Sequence, residues 1–239
     1  MARAYVGTSG FSYPEWKGSF YPADLPTDQM LPFYGRTFPT VELNNTFYRY
    51  PQDHTLAQWA GAVPPEFQFA VKAHRRITHL KRLVDIDGDL AFLFERLRGL
   101  GPHLGPILFQ FPPSLRCDLT LLTGLLTGLR PGGQAVVEFR HATWRQDPVY
   151  RLLETHRVAL CVAETDEEAQ PAEVVGPVSY LRLHKSRYSE DDLARWAQWA
   201  AARIAEGRDV YAYFTHEDGA PAPDYARQFA GLTGAPPPP

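Results

Sequence analysis

Val137-Glu138-Phe139-Arg140 and Leu181-Arg182-Leu183-His184 each alternate an apolar residue with an ionisable one. Alternate residues of an extended strand share a face, so both runs send oily side chains one way and charged ones the other. Three further runs behave alike: Val41-Glu42-Leu43-Asn44, Phe69-Ala70-Val71-Lys72 and Leu108-Phe109-Gln110. Parallel strands that close into a barrel would gather these polar ends at one mouth. Parity assigns Glu42, Asn44, Lys72, Gln110, Glu138, Arg140, Arg182 and His184 to the lumen. It turns Val41, Leu43, Val71, Phe109, Val137, Phe139, Leu181 and Leu183 toward a helical shell.

Outward from these runs, β-branched and aromatic enrichment predicts strands at 4–9, 40–44, 67–72, 106–111, 134–140, 157–163, 178–184 and 209–215. Their starts recur about every thirty residues, the length of a strand plus a crossover helix. Residues 89–100 place Leu90, Leu93, Phe94 and Leu97 at helical spacing. Ser189 followed by Asp192 reads as a helix start, continued by Trp196 and Trp199 and stopped at Gly207. Residues 119–129 and 149–156 fill further crossovers, with shorter helices at 53–61 and 225–232. The alternation predicts an α/β fold, a single (β/α)8 TIM-type barrel with some irregular helices. An open doubly wound sheet is less favoured, because no strand-to-helix turn carries a Gly-x-Gly-x-x-Gly or Walker A pattern.

At 239 residues the chain can bury one sizeable core, expected as a single domain over 1–235 followed by a proline tail, 236–239. A net charge of -3 supplies no general pull toward phosphate backbones or anionic lipid, so nucleic acid is not the favoured partner and no membrane is expected. No apolar run serves as a signal peptide or a membrane span, which predicts a cytoplasmic protein. Cys117 and Cys161 are too few for a disulfide framework and read as reduced packing residues. The oligomeric state is not legible.

Burying ions costs several kcal/mol that pairing only partly returns, so charges at strand ends point to function more than to stability. Lumen charges lean positive, with Glu42 and Glu138 against Lys72, Arg140 and Arg182. A small anionic ligand complements them, phosphorylated or carboxylated. The leading reading is an enzyme with Glu42 or Glu138 as base and Lys72 or His184 as acid. Arg140 and Arg182 would orient the anion, Asn44 and Gln110 would bind its polar groups, and Tyr13 and Trp144 would add aromatic contacts. The basic loop His184-Lys185-Ser186-Arg187 reads as either a phosphate site or solvated surface charge, and Gly7-Thr8-Ser9-Gly10 as either an anion cradle or a plain turn.

Neither a metal nor another cofactor is expected. Glu42, Glu138, His141, Glu164, His184 and His216 lack ligand spacing on one helical face, and Lys72 and Arg140 would repel a cation. A glycosidase pair of Glu42 and Glu138 is disfavoured because strands two and five are not neighbours. Two other readings stand beside it: a nucleic-acid-binding or phosphodiester-processing protein, drawing on the basic pocket and on an aromatic rim of Phe11, Tyr13, Trp16, Phe20, Tyr21, Phe47, Tyr48, Trp144 and Tyr188, rings that stack on a base or sugar or else pack the loops, and a non-catalytic metabolite sensor.

The motifs Gly7-Thr8-Ser9-Gly10-Phe11-Ser12-Tyr13, Phe20-Tyr21-Pro22, Val41-Glu42-Leu43-Asn44 and Thr46-Phe47-Tyr48-Arg49 resemble those of domain-of-unknown-function family 72, the YecE-like group. Phe69-Ala70-Val71-Lys72 with Ile77-Thr78-His79, Leu108-Phe109-Gln110, Val137-Glu138-Phe139-Arg140-His141 and Tyr180-Leu181-Arg182-Leu183-His184 follow in the same order. The resemblance covers nearly the whole chain and implies a TIM-type barrel, without naming a substrate. Two departures stand out: a compact His184-Lys185-Ser186-Arg187-Tyr188 loop where the family has a longer His-Gly entry, and Thr215-His216 where it has an Asn pair.

Overall fold

The computed structural model describes residues 1–130, 134–167, 173–215 and 221–234. Eight strands form where the pattern places them: β1 (Ala4–Thr8), β2 (Thr40–Leu43), β3 (Gln68–Lys72), β4 (Leu104–Phe111), β5 (Ala135–Phe139), β6 (Ala159–Thr165), β7 (Ser179–His184) and β8 (Val210–Phe214). All paired strands are parallel, in the order β1-β8-β7-β6-β5-β4-β3-β2. This is a TIM-barrel-like α/β fold, nearly closed, with one looser seam between β1 and β2.

Three contacts draw that seam together. A parallel bridge joins Ser9 to Glu42, and the Gly10 N–H donates to the Glu42 carbonyl at 2.8 Å. Deeper in, the buried Tyr34 hydroxyl accepts from the Thr8 N–H at 2.8 Å and reaches the Thr40 carbonyl at 3.1 Å, replacing a direct ladder bond. Gly7 is required at this point, since a Cβ there would sit 2.1 Å from the Thr40 carbonyl oxygen.

The helices are α1 (Met30–Gly35), α2 (Asp53–Gly61), α3 (Asp87–Leu97), α4 (Leu119–Gly128), α5 (Asp147–Thr155), α6 (Glu190–Ala205) and α7 (Ala222–Thr233). Ser189 and Asp192 form the expected reciprocal cap on α6. Asp118 caps α4 by accepting from the Thr120 and Leu121 N–H groups. Two elements escaped the pattern. α1 is too short and carries Pro32, and the segment Arg76–Leu80 is a single π-helical turn after β3.

Two apolar clusters lie on either side of the barrel wall. All eight residues expected to face outward join the larger, outer one. The inner cluster fills the N-terminal half of the lumen with Tyr5, Tyr180, Tyr211 and Tyr213 among small and aliphatic residues. Tyr5 and Tyr211 stack at 4.5 Å. This plug leaves the polar side chains only the C-terminal half, stratifying the lumen. Among the described residues no helix is long and apolar enough to cross a membrane. The proposed tail at 236–239 lies outside the described residues.

Candidate functional site

Arg182 is the hub of the polar half. Its side chain is 3% exposed, and its Nε and Nη2 donate to the two oxygens of Glu42, each at 3.0 Å. Its Nη1 donates to Glu138 at 2.8 Å. The fork geometry of guanidinium suits this double duty. Glu42 also accepts from Ser9 Oγ and Tyr180 Oη, both at 2.8 Å. Glu138 accepts from Gln110 Nε2 at 3.0 Å to each oxygen, because Gln110 and Glu138 are register partners on β4 and β5. The Arg140 guanidinium also sits against Glu138.

Burial alone would raise both carboxyl pKa values, but the Arg182 charge and the hydrogen bonds outweigh it. Glu42 is held below its usual value, and Glu138, with Arg140 adding to Arg182, is pushed down to about 2. Strands two and five are brought into one network by the long arm of Arg182, which stands between the two carboxylates. A glycosidase pair would need that space for sugar and water.

Lys72 has opposite surroundings. Among the described residues its amine has no carboxylate within ion-pair distance, and it rests 4.2 Å over the Phe47 ring. Burial, reinforced by the charge of Arg182, lowers its pKa to about 8. His184 ends β7, half-buried, with Nε2 3.5 Å from Ser9 Oγ. Burial and then Arg182 hold its pKa well below the usual imidazole value, so it is neutral at pH 7. His79, on the π-helical turn, packs edge-on against the same Phe47 ring at 4.8 Å. Its pKa is also lowered, by burial and then by the Lys72 charge. Three cations therefore face two carboxylates and neutral imidazoles, so the mouth carries a net positive charge.

Asn44 and Tyr13 lie to one side of the lumen. They border a cavity of about 670 Å³ with Phe11 and Trp59, between the loops after β1 and β2. Tyr13 Oη donates to the Ser9 carbonyl at 2.7 Å, and Asn44 Oδ1 is buried without a hydrogen-bond partner among the described residues.

Several expected contacts do not form at the mouth. Trp144 is fully buried in the outer cluster, stacked on Phe139 at 4.9 Å, with its indole N–H on the Leu115 carbonyl at 2.7 Å. It is a packing residue, because strand parity lapses at the short helical turn past β5. The loop after β7 is no ready phosphate site: Lys185 pairs with Asp192 at 3.0 Å, and the Ser186 N–H is taken by the Asp166 carboxylate. Gly7-Thr8-Ser9-Gly10 is not an anion cradle either, since the N–H groups of Thr8, Ser9 and Gly10 bond Tyr34, Phe214 and Glu42.

Glu164 points outward, where Arg195 and Trp196 each reach it at 2.8 Å, and His141 Nδ1 caps the turn at Thr143. His216 lies outside the described residues. Of the rim aromatics, Trp16, Phe20 and Tyr21 are buried and pack on one another, and Tyr188 packs on Phe214.

Tyr180 and His79 lie at the candidate site without having been singled out as functional, while Ser9 was read only within a candidate anion cradle and Phe47 only as a rim ring. Tyr180 shares the parity of Arg182 and could have been found from it. Ser9 closes the strand expected over 4–9 and shares the parity of the inward-facing Tyr5, whereas His79 required the π turn, which leaves no periodic trace.

Comparison with known proteins agrees with this architecture. The family model DUF72, "Protein of unknown function DUF72", matches residues 5–238. The chain is similar to UPF0759 protein YunF of Bacillus subtilis (strain 168), at 24% identity over 95% of this chain and 94% of that protein. It superposes on the crystal structure of a DUF72 family protein from Thermotoga maritima MSB8 with a TM-score of 0.80 and 25% identity, covering 97% of this chain and 99% of that one. A DUF72 family protein from Enterococcus faecalis V583 superposes with a TM-score of 0.81 at 17% identity, over 99% of this chain and 96% of that one, a likeness of fold. With eight parallel strands in the expected order and a family match over nearly its full length, this chain belongs to the DUF72 family.

Proposed function

We propose that this chain is an enzyme whose site is the C-terminal mouth of the barrel, acting on a small anionic substrate by general acid–base chemistry. One observation carries the reading: the amine of Lys72 is unpaired with any described carboxylate while both lumen glutamates are spent on Arg182, Arg140 and Gln110. An unneutralised cation at a strand end is costly to keep, and a carboxylate or phosphate from outside is its natural complement. Arg140, with a side chain 29% exposed, is placed to share that anion.

The roles differ from those expected of the sequence. Glu42 and Glu138 are too strongly held in the ionised, hydrogen-bonded state to take a proton near neutral pH, so they position Arg182. Proton transfer falls to Lys72, His184 and His79, whose pKa values are all displaced toward or below neutrality. Asn44 Oδ1, lacking a donor, leaves an acceptor at the adjoining side cavity and not at the mouth itself.

Thermal unfolding in the presence of phosphate, malonate or pyruvate tests this. At least one should raise the Tm of the wild-type chain, with the shift reduced in Lys72→Met and Arg140→Gln. A ligand at a hundred times its Kd stabilises by about 2.7 kcal/mol. Absence of any shift, or equal shifts in the variants, overturns the assignment. Retention on single-stranded DNA that weakens with salt would favour the phosphodiester reading instead.

A further inference from the structure

We propose that Lys72 is an amine nucleophile that condenses with the carbonyl of an anionic substrate, a 2-oxo acid or a phosphorylated aldehyde or ketone, to form a Schiff base. This rests on the reading of the mouth as an anion-binding site and adds the substrate's second functional group.

The geometry distinguishes Lys72 among the four lysines of the chain, Lys17, Lys72, Lys81 and Lys185. Lys81 is tied to Asp89 at 2.7 Å and Lys185 to Asp192 at 3.0 Å. Lys17 lies on the outer loop after β1, where its backbone bridges to Tyr21. Only Lys72 ends a barrel strand on the lumen side, at the mouth where barrel chemistry is placed.

An amine held by a carboxylate keeps its proton and cannot attack. Here the two carboxylates that could hold it are saturated by other donors, and Arg182 brings a second positive charge into the same lumen. The Phe47 ring covers one side of the amine and excludes water there, and the attraction of its face for the ammonium is outweighed by burial and the Arg182 charge. These surroundings favour the neutral amine, in keeping with its lowered pKa of about 8. At pH 7.5 its neutral fraction would exceed that of an ordinary lysine by about two hundredfold.

The step balances without an external oxidant or reductant. The nitrogen lone pair attacks the carbonyl carbon, forming the C–N bond while the π pair moves to oxygen, which takes a proton from solvent. The ammonium so formed loses a proton to a neutral imidazole, for which His184 and His79 are the two candidates at the mouth. The imidazolium so formed returns that proton to the carbinolamine hydroxyl, which leaves as water as the nitrogen lone pair closes the C=N bond of the protonated imine. Water reverses the sequence and frees the lysine. Arg140 is positioned to hold the substrate's anionic group.

The experiment is reductive trapping of the wild-type chain with pyruvate and sodium cyanoborohydride at pH 7.5, followed by peptide mass mapping. The reduced adduct should concentrate on Lys72, at least about tenfold over each other lysine after allowing for the lower intrinsic nucleophilicity of a less basic amine. Labelling spread evenly, or least at Lys72, overturns the proposal. Lys72→Arg keeps the charge and removes the nucleophile, so it should retain a phosphate-induced Tm shift and lose the selective adduct. A phosphate shift in the wild-type chain without selective trapping defeats the Schiff base alone. No shift with any of phosphate, malonate or pyruvate defeats the anion site beneath it.

Discussion

Arg182 and Lys72 are two cations of one lumen with contrasting company. Arg182 is buried, and its guanidinium donates three hydrogen bonds to two carboxylates. Lys72 is half-buried, and its amine meets an aromatic face. The first arrangement is closed: its charges satisfy one another and leave nothing for a ligand. The second is open, and it costs stability unless something enters. Within residues of the same strand parity, the structure thus separates those whose charges answer one another from one whose amine has no carboxylate partner among the described residues.

Removing the centre of the closed arrangement should produce the largest effect. Arg182→Met leaves two buried carboxylates without their main partner and should cost about 3–5 kcal/mol in denaturant unfolding. Adding Glu42→Gln and Glu138→Gln to it should restore part of that loss. A single-variant cost below about 1 kcal/mol would break the comparison.

Acid should separate the two regions next. Glu138 has a folded pKa of about 2 against a reference of 4.5, so between those values the unfolded chain binds more protons than the folded one. Its contribution is complete above about pH 5 and drains away as the pH falls toward 2, amounting to about 3 kcal/mol. In Glu138→Gln, stability should fall less steeply across that window.

Tyr34→Phe sharpens the comparison by loosening the seam that carries Glu42. It removes the hydroxyl between Thr8 and Thr40 and should cost about 1–3 kcal/mol, with faster amide exchange at Thr8.

Lys72→Met should move in the opposite direction. The folded pKa of Lys72 lies below its reference value of 10.5, so the unfolded chain binds more protons between about 8 and 10.5 and wild-type stability rises with pH there. The variant should therefore be more stable at pH 7, by about 1 kcal/mol once partial exposure is discounted, with the gain vanishing as the pH approaches 10.5. A loss of stability on this substitution would place Lys72 with Arg182 among the residues that hold the mouth.

The barrel was legible because parity is a local property. Val137-Glu138-Phe139-Arg140 needs only its own alternation to show which side faces the helices, and the separate inner and outer apolar clusters follow from it. Placement in the lumen was legible to the same depth for Glu42, Lys72, Gln110, Glu138, Arg140, Arg182 and His184. Pairing was not, because it depends on side-chain reach across the lumen: Arg182 on β7 meets both β2 and β5, which no spacing announces. Trp144 and Asn44 lie just past strand ends, where the period of two no longer governs direction. One entered the outer core and the other a side cavity. His79 depended on a π-helical turn, whose five residues are too few to carry a pattern.

The most direct measurement is the titration of Lys72 by NMR of the chain labelled with 13C at lysine Cε, assigned with Lys72→Arg. An open cation beside Arg182 predicts a midpoint near 8. A midpoint at the ordinary lysine value of about 10.4 would contradict the account, leaving Lys72 as one more satisfied charge.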